Sequence, residues 1–219
     1  MASNQITLEA WLKPANSTQS LSRIVALSQD RRNRNALLAQ NADRYHVRLR
    51  TTSTDNSGNP RLESPADTAL PDLTHLVYTR DASGQERIYL NGKLEQSGSR
   101  TGTLANWDTG DPLVLANEIT GDRPWLGELH LVAIYDQALS SAEVTQNYNA
   151  GPDGGGPLPT PTPTTPPPPT PTPTHTSTSM PSPTHTWTPT PTPTGTPGSG
   201  RVTEGLAVLY TFEEGGGSI

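Results

Sequence analysis

Apolar and polar residues alternate along most of the first 136 residues, with the two-residue period of half-buried β-strands. In QITLEAWLK (residues 5–13), for example, every second residue from Ile6 to Leu12 is apolar. Similar segments or short apolar runs follow at residues 22–28, 34–40, 44–52, 74–81, 86–97, 112–117 and 125–136. Strands at this spacing, separated by polar turns, predict an antiparallel β-sandwich.

Three segments predict local detail. In RYHVRLRTT (44–52), one face is apolar and the other is basic. The apolar face consists of Tyr45, Val47 and Leu49, and the basic face of His46, Arg48 and Arg50. The pair Asn91-Gly92 suits a two-residue type I′ turn, because both positions of that turn need φ > 0. Leu131–Tyr135 is apolar on both faces, so we expect both faces to be covered.

One short helix is predicted over residues 140–148. Ser140 stands three residues before Glu143, and this spacing is that of a capping box. Gly151 suits the helix C-terminus. The fold class predicted for residues 1–151 is therefore all-β, with two antiparallel sheets and one short C-terminal helix.

Residues 152–204 form a Thr/Pro-rich linker. Sixteen of the 23 prolines lie between Pro157 and Pro197. Such a tract has few apolar side chains to bury, so it cannot offset the entropy cost of ordering. We expect it to be disordered or extended, and to be followed by an isolated strand within residues 205–219.

Composition excludes several classes of function. The formal net charge is −6 and no basic stripe is visible, so nucleic acid is not an expected partner. No apolar run approaches the length of a membrane span, and no signal peptide is recognisable at the N-terminus. The chain has no cysteine, which excludes disulfides and thiol chemistry.

The pattern of titratable residues does not favour an enzyme. A retaining glycosidase needs two carboxyl groups about 5–5.5 Å apart. No predicted strand carries such a pair on one face, although a pair drawn from different strands is left open. The histidines of the predicted strands are isolated, without the spacing of a zinc site. No catalytic residue is therefore assigned.

Residues 106–125 (NWDTGDPLVLANEITGDRPW) hold the candidate binding residues. Calcium takes clusters of carboxylate oxygens in loops of this kind, so the metal candidates are Asp108, Asp111, Glu118 and Asp122. The alternative is that these residues make turns and that Glu118 pairs with Arg123. Candidate ligand-binding residues are Trp107, as the most exposed aromatic residue, Asn117 and Arg123.

Residues 4–151 resemble the laminin G-like, concanavalin A-like jelly-roll domains of bacterial multidomain surface or secreted proteins. The resemblance rests on three segments in the expected order: ITLEAWLKP, HLVYTRDASGQERIYLNGKLEQSG and RPWLGELHLVAIYDQALSSAEVTQNYNAGP. It implies a two-sheet jelly roll and makes Ca²⁺ a possible ligand. The family often has Asp where this chain has His130, which weakens the transfer of a site near that strand.

The same resemblance gives a meaning to GLAVLYTFEEGGG (205–217). It is similar to the first strand of such domains, and the segment before Trp11 is too short to contain that strand. We expect the chain to be a fragment in which residues 1–151 lack their first strand and residues 205–219 begin a following domain. Leu206–Phe212 would then dock antiparallel against residues 129–135, with Leu206, Val208, Tyr210 and Phe212 facing inward. The alternative is a tail that does not complete the sandwich.

These features together imply a non-catalytic recognition or adhesion module of a multidomain extracellular or cell-surface protein. Its partner would be a glycan or an extracellular protein, without membrane insertion. The alternative is an accessory carbohydrate-binding domain of a secreted glycoside hydrolase or other enzyme.

Overall fold

The computed structural model describes residues 3–152 and 200–212, whose strands form two antiparallel sheets. The six-stranded sheet has the order β11 (Leu206–Thr211), β10 (Gly127–Tyr135), β1 (Ile6–Pro14), β6 (Thr74–Arg80), β7 (Gln85–Leu90) and β8 (Lys93–Ser99). The five-stranded sheet has the order β5 (Leu62–Glu63), β4 (Arg44–Leu49), β3 (Arg34–Asn41), β2 (Ser22–Ser28) and β9 (Leu113–Leu115). The predicted all-β jelly-roll sandwich is confirmed. Most of the predicted Thr/Pro linker, residues 153–199, lies outside the described residues.

The main core is built from alternate residues of both sheets. Its largest cluster includes Leu8 of β1, Leu38 of β3, Val47 of β4 and Ile134 of β10, all 3% exposed or less. In β4 the apolar face lies in this core, as the alternation predicts. The strands therefore form where they do because each buries one apolar face between the sheets.

The outer face of the six-stranded sheet is covered by the single α-helix among the described residues. This helix, α1 (Ser141–Ala150), begins with the predicted capping box between Ser140 and Glu143. Its Val144 packs with Leu131 and Tyr135 of β10 in a second apolar cluster. Both faces of Leu131–Tyr135 are therefore buried, as predicted. No helix in the described part of the chain is long and apolar enough to span a membrane.

The turn between β7 and β8 has the predicted backbone. Asn91 has φ 49° and Gly92 has φ 79°, so both residues are in the left-handed region. A Cβ atom at Gly92 would lie 3.2 Å from the ring of Tyr148 in α1. Glycine is therefore favoured here by conformation and by the close approach of the helix.

Strand β11 lies antiparallel along β10, at the edge of the six-stranded sheet. Val208 is opposite Ile134 and Leu206 is opposite Tyr135, with an irregularity in register between these two pairs. Val208 packs on the main core, whereas Leu206 packs on the outer cluster beneath the helix. The prediction that Leu206, Val208, Tyr210 and Phe212 form one inward face is thus wrong. The extra residue in β11 reverses the side between Leu206 and Val208, and Tyr210 and Phe212 are 47% and 38% exposed.

The residues before β11 contact the sandwich before the strand begins. Arg201 forms an ion pair with the buried Glu9 of β1, and its Nη2 donates to the carbonyl of Gly151 at 2.7 Å. The backbone N–H of Val202 donates to Oδ1 of Asn147 in α1 at 2.8 Å. Arg201 and Val202, which composition assigns to the linker ending at residue 204, therefore belong to the sandwich by their contacts.

Candidate functional site

The outer face of the five-stranded sheet combines small apolar residues with basic ones. Strand register aligns Val114, Ala26, Leu37 and Arg48 in one row across the sheet. The neighbouring row consists of Arg23, Ala39, His46 and Glu63. Residues directly opposite each other on paired strands lie on the same face. The two alanines are short, so the longer side chains around them can enclose a recess.

A cavity of about 270 Å³ opens among the arginines of this face. Its lining, which we call the arginine pocket, consists of Leu21, Arg23, Arg31, Arg32, Arg34, Arg48 and Arg123. Three of the arginines come from β2, β3 and β4, two from the turn between β2 and β3, and one from the segment between β9 and β10. The pocket is therefore assembled from residues far apart in the sequence.

A buried carboxylate fixes one wall of the arginine pocket. Glu118 is 2% exposed, and its Oε2 lies 3.3 Å from Nε of Arg23. Ser28 donates its hydroxyl to the other oxygen. Asn117 Oδ1 accepts the backbone N–H groups of Glu118 at 2.8 Å and Arg123 at 3.0 Å, which closes the loop. The alternative pairing of Glu118 with Arg123 is therefore replaced by a pair with Arg23.

Arg34 is a buried cation that borders the cavity. Arg34 is 1% exposed. None of its three guanidinium nitrogens has a hydrogen-bond partner among the described residues. Burial, and next the charge of Arg23, lower the pKa of Arg34 to about 10, so it remains protonated at neutral pH. A guanidinium with unused donors in such a place is unfavourable unless an acceptor arrives.

The other charges around the pocket are only partly neutralised. Nη1 of Arg31 lies 3.1 Å from Oδ2 of Asp122, with both side chains about half exposed. Arg32, Arg48 and Arg123 have no acidic ion-pair partner within residues 3–152 and 200–212, and neither has Arg34. The pocket is thus locally positive in a chain whose formal net charge is −6.

His46 lies on the same face as an uncharged group. It is fully buried, and neither ring nitrogen has a partner in the described part of the chain. Burial, followed by the charges of Arg61 and Arg48, lowers the pKa of His46 to about 3. At neutral pH it therefore adds no positive charge to the arginine pocket.

The four acids predicted to bind calcium do not form one cluster, although Asp108 and Asp111 are neighbours in one turn. Glu118 and Asp122 lie in their ion pairs with arginines, and Asp108 accepts a hydrogen bond from Gln29 at 3.0 Å. Burial, and then the charge of Asp108, raise the pKa of Asp111. Among the described residues, no group of three or more His, Cys, Asp or Glu could hold a metal ion. The loop carboxylates are instead used to neutralise arginines and to close turns.

The Trp107 side chain, predicted to contact a ligand, packs against the core. Trp107 is half-buried against the main core, and its indole N–H donates to the carbonyl of Arg50 at 2.7 Å. Trp125 is in the core and donates to Gln40 at 2.8 Å. Trp11 is fully buried beneath α1. Trp107 is not the most exposed aromatic residue, because Tyr210 and Phe212 are 47% and 38% exposed whereas Trp107 packs partly buried against the core.

A second cavity, of about 570 Å³, lies beside the turn between β7 and β8. Its charged lining residues are Asp67, Asp72, Lys93 and Glu95. All four are exposed, so water already solvates them. This cavity therefore lacks the buried, unpartnered polar group that distinguishes the arginine pocket.

Sequence reasoning identified one pocket residue, Arg123, and missed the others. The basic face of β4 was visible from the alternation around Arg48, and QDRRNRN (29–35) is rich in arginine. Neither signal shows that these segments meet Arg23 and Arg123 at one place. The convergence depends on the order of the strands in the sheet, which the hydrophobic pattern does not define.

Several solved structures share this fold at low sequence identity. A Bacteroides ovatus protein thought to bind carbohydrate is 18% identical, with a TM-score of 0.51 over 67% of this chain and 41% of that one. The Ruminococcus gnavus IT-sialidase CBM40 bound to α2,3 sialyllactose is 19% identical, with a TM-score of 0.54 over 66% and 82%. Botulinum neurotoxin type C, whose cell entry depends on two ganglioside molecules, is 15% identical, with a TM-score of 0.52 over 68% and 36%. At these sequence identities the similarity shows a shared fold and nothing more. This chain spans about two fifths of the length of the Bacteroides ovatus protein.

No curated protein sequence matches this chain. A laminin G family model, described as concanavalin A-like lectin/glucanases superfamily, matches residues 1–145. This match covers strands β1 to β10 and the first turn of α1, which are the elements that carry the predicted resemblance. The chain therefore belongs to the concanavalin A-like lectin/glucanases superfamily.

Proposed function

We propose that this chain is a non-catalytic glycan-recognition module of a multidomain extracellular protein. The observation that carries the proposal is the arginine pocket, a preformed recess on the outer face of the five-stranded sheet. Recognition sites are typically concave and use a few fixed polar groups to orient a ligand. Here the strands and one closed loop hold those polar groups, so little ordering is required on binding.

The related structures support a glycan as the ligand class. One is a carbohydrate-binding module in complex with sialyllactose, and another belongs to a toxin that depends on gangliosides. Sialyllactose is an oligosaccharide and a ganglioside is a glycolipid, so the ligand that each title names carries a glycan. An extracellular protein as partner, further domains in the parent chain, and residues 205–219 as the start of a following domain are parts of the proposal that rest on the laminin G-like resemblance.

The carboxylates at the pocket favour binding rather than hydrolysis. A glycosidase needs one carboxyl group that is protonated at working pH and one that is ionised. A hydrogen bond from Thr120 and the charge of Arg31 lower the pKa of Asp122, which disfavours it as a general acid. Glu118 is held by Arg23 and Ser28 and is 2% exposed. The ion pairs that hold both carboxylates therefore support a role in binding rather than in proton transfer.

An accessory role beside an enzyme is the second candidate. The Ruminococcus gnavus structure, a module of a sialidase, supports this reading. The alternative is an adhesion module in which repeated domains give avidity without tight individual sites. The two roles share the same pocket and differ in the domains that accompany it.

A glycan array probed with the whole chain tests the proposed function. Saturable binding to a defined group of saccharides is expected, and Arg123→Met should weaken it because Arg123 lines the pocket. Arg87→Met is the matched control, since Arg87 lies on the other sheet in a half-exposed pair with Asp81. Absence of binding to every saccharide would contradict glycan recognition and favour a protein partner.

A further inference from the structure

We propose that the arginine pocket selects the anionic group, a carboxylate or a sulfate, of an acidic saccharide, with Arg34 as its main contact. The inference rests on the proposed glycan-binding function and adds the class of sugar and the residue that recognises it. It starts from a buried cation that has no partner in the described structure. Arg34 lines the cavity, is 1% exposed, and none of its guanidinium nitrogens has a hydrogen-bond partner among residues 3–152 and 200–212.

The unused donors of Arg34 define the chemistry that fits. A guanidinium presents N–H groups in a planar fork that matches two oxygens of a carboxylate or sulfate. A neutral hydroxyl could accept one of these hydrogen bonds but would leave the charge without compensation. An anion would accept hydrogen bonds from Arg34 and also compensate its charge, so an anion is the favoured ligand.

The neighbouring residues point in the same direction. Arg48 and Arg123 also line the pocket, and Nε of each lacks a hydrogen-bond partner within the described residues. The nearby carboxylates are already used, since Glu118 pairs with Arg23 and Asp122 with Arg31. The described lining itself holds no acid, so the remaining positive charge is balanced only in part, by the charge of Asp30 near Arg34 and by the charges of Asp55 and Glu63 near Arg48.

The pocket lacks the usual means of binding a neutral sugar. The described residues of its lining include no aromatic side chain on which a pyranose ring could stack. Trp11 and Trp125 are buried, and Trp107 is held against the core. Recognition at this place would therefore rely on charge and hydrogen bonds rather than on stacking.

The size of the pocket favours one acidic residue of a saccharide over a nucleic acid. A volume of about 270 Å³ lies just below the range of about 300–1,000 Å³ for pockets that enclose a drug-sized ligand. A nucleic acid is usually bound along an extended basic groove, and the formal net charge of −6 opposes such binding. A single carboxylated or sulfated sugar unit is of a size that a cavity of this volume can hold.

Binding of matched polysaccharides to the whole chain tests the inference. Dextran sulfate is compared with dextran, and polygalacturonate with its carboxyl-reduced form, by isothermal titration calorimetry. We expect binding of at least one of the two acidic polymers, no binding of the neutral ones, and a Kd raised about tenfold or more by Arg34→Met. Arg48→Met should give a smaller loss, and Arg87→Met on the opposite sheet should give none.

The outcomes separate this inference from the proposed function. Equal binding of neutral and acidic polymers, or an unchanged Kd for Arg34→Met, would overturn the choice of an anion while glycan binding stands. Duplex DNA that binds as tightly as dextran sulfate would overturn the choice of a saccharide.

Inorganic sulfate provides a measurement that does not need a sugar. Sulfate bound to the native pocket should raise the melting temperature of the wild-type chain more than that of Arg34→Met, because ligand binding to the folded state stabilises it. Sodium chloride of equal ionic strength controls for screening. A sulfate effect without binding to any polysaccharide would keep the anion site and overturn the proposed function. An equal effect of sulfate on both proteins would overturn the anion site.

Discussion

Glu9 holds the residues that follow the Thr/Pro linker onto the sandwich. It is fully buried in β1 and pairs with Arg201, and its carboxylate also contacts His75 at 2.8 Å and Asn147 at 2.8 Å. Burial alone would raise the pKa of Glu9, but the hydrogen bond and charge of His75 and the charge of Arg201 lower it to about 2. The carboxylate is therefore ionised in the folded chain and depends on its partners.

Loss of Arg201 should destabilise the fold strongly. Arg201→Met removes the guanidinium that pairs with the buried Glu9, and removal of one member of a buried pair costs about 3–5 kcal/mol. Urea unfolding measures this loss. Arg87→Met removes the half-exposed pair with Asp81 and should change the free energy of unfolding by no more than about 0.5 kcal/mol. Equal effects of the two variants would contradict a structural role for Arg201.

His46 should make the fold sensitive to mild acid. Its pKa is about 3 in the folded chain against 6.5 as the ordinary value. Between these values the unfolded chain binds a proton that the folded chain does not. Stability is therefore complete above pH 6.5 and falls as the pH drops towards 3, by at most about 1.4 kcal/mol per pH unit.

Unfolding in urea at pH 7, 6 and 5 tests this contribution. The variant His46→Leu should show little loss of stability over the same interval, because it cannot take up a proton when unfolded. Glu9 does not interfere, since its lowered pKa affects stability only as the pH falls below about 4.5. An equally steep decline in the variant between pH 7 and pH 5 would show that another group is responsible.

At the scale of elements, α1 depends on its N-terminal cap. The side chain of Ser140 accepts the backbone N–H of Glu143, and the Glu143 carboxylate accepts the backbone N–H of Ser140 at 2.7 Å. Ser140→Ala should therefore cost about 1 kcal/mol. Ser141→Ala is the control, because alanine is favoured within a helix. Thermal unfolding measures both, and no difference between them would place the start of the helix elsewhere.

The sequence predicts a strand, turn or helix well where the residues that determine it are close together in the chain. The alternation in β1 and β4, the pair Asn91-Gly92 and the spacing of Ser140 and Glu143 each depend on neighbours in sequence. The irregularity in β11 depends on its partner strand, so the alternation of Leu206 and Val208 could not reveal it.

The candidate site was much harder to predict than the elements. The arginine pocket needs Arg23, Arg34, Arg48 and Arg123 to converge from four parts of the fold. The composition hides this local positive charge, because acidic residues elsewhere give the chain a formal net charge of −6. Within one segment, the acids near residues 108–122 predict a calcium site, since the ion pairs of Glu118 with Arg23 and of Asp122 with Arg31 cannot be seen there.

At the scale of the whole molecule, residues 200–212 complete the edge of the six-stranded sheet. Without them, β10 would present an unpaired apolar edge, which is unfavourable for a sheet. A chain that ends at Gly200 should therefore melt at a lower temperature and lose hydrogen-exchange protection at residues 129–135. It should lose more stability than Arg201→Met, because β11 is removed together with the ion pair. Unchanged melting and protection would show that β11 contributes nothing to the sandwich.

Recognition of an acidic saccharide at the arginine pocket is tested most directly by NMR. The Nε–Hε signals of a ¹⁵N-labelled chain are followed during titration with short dextran sulfate oligomers. The signals of Arg34, Arg48 and Arg123 should move together and saturate, while those of Arg87 and Arg201 stay in place. If the signals of the three pocket arginines do not move during the titration, the pocket is not the binding site. This holds whether or not the oligomers move signals elsewhere in the chain.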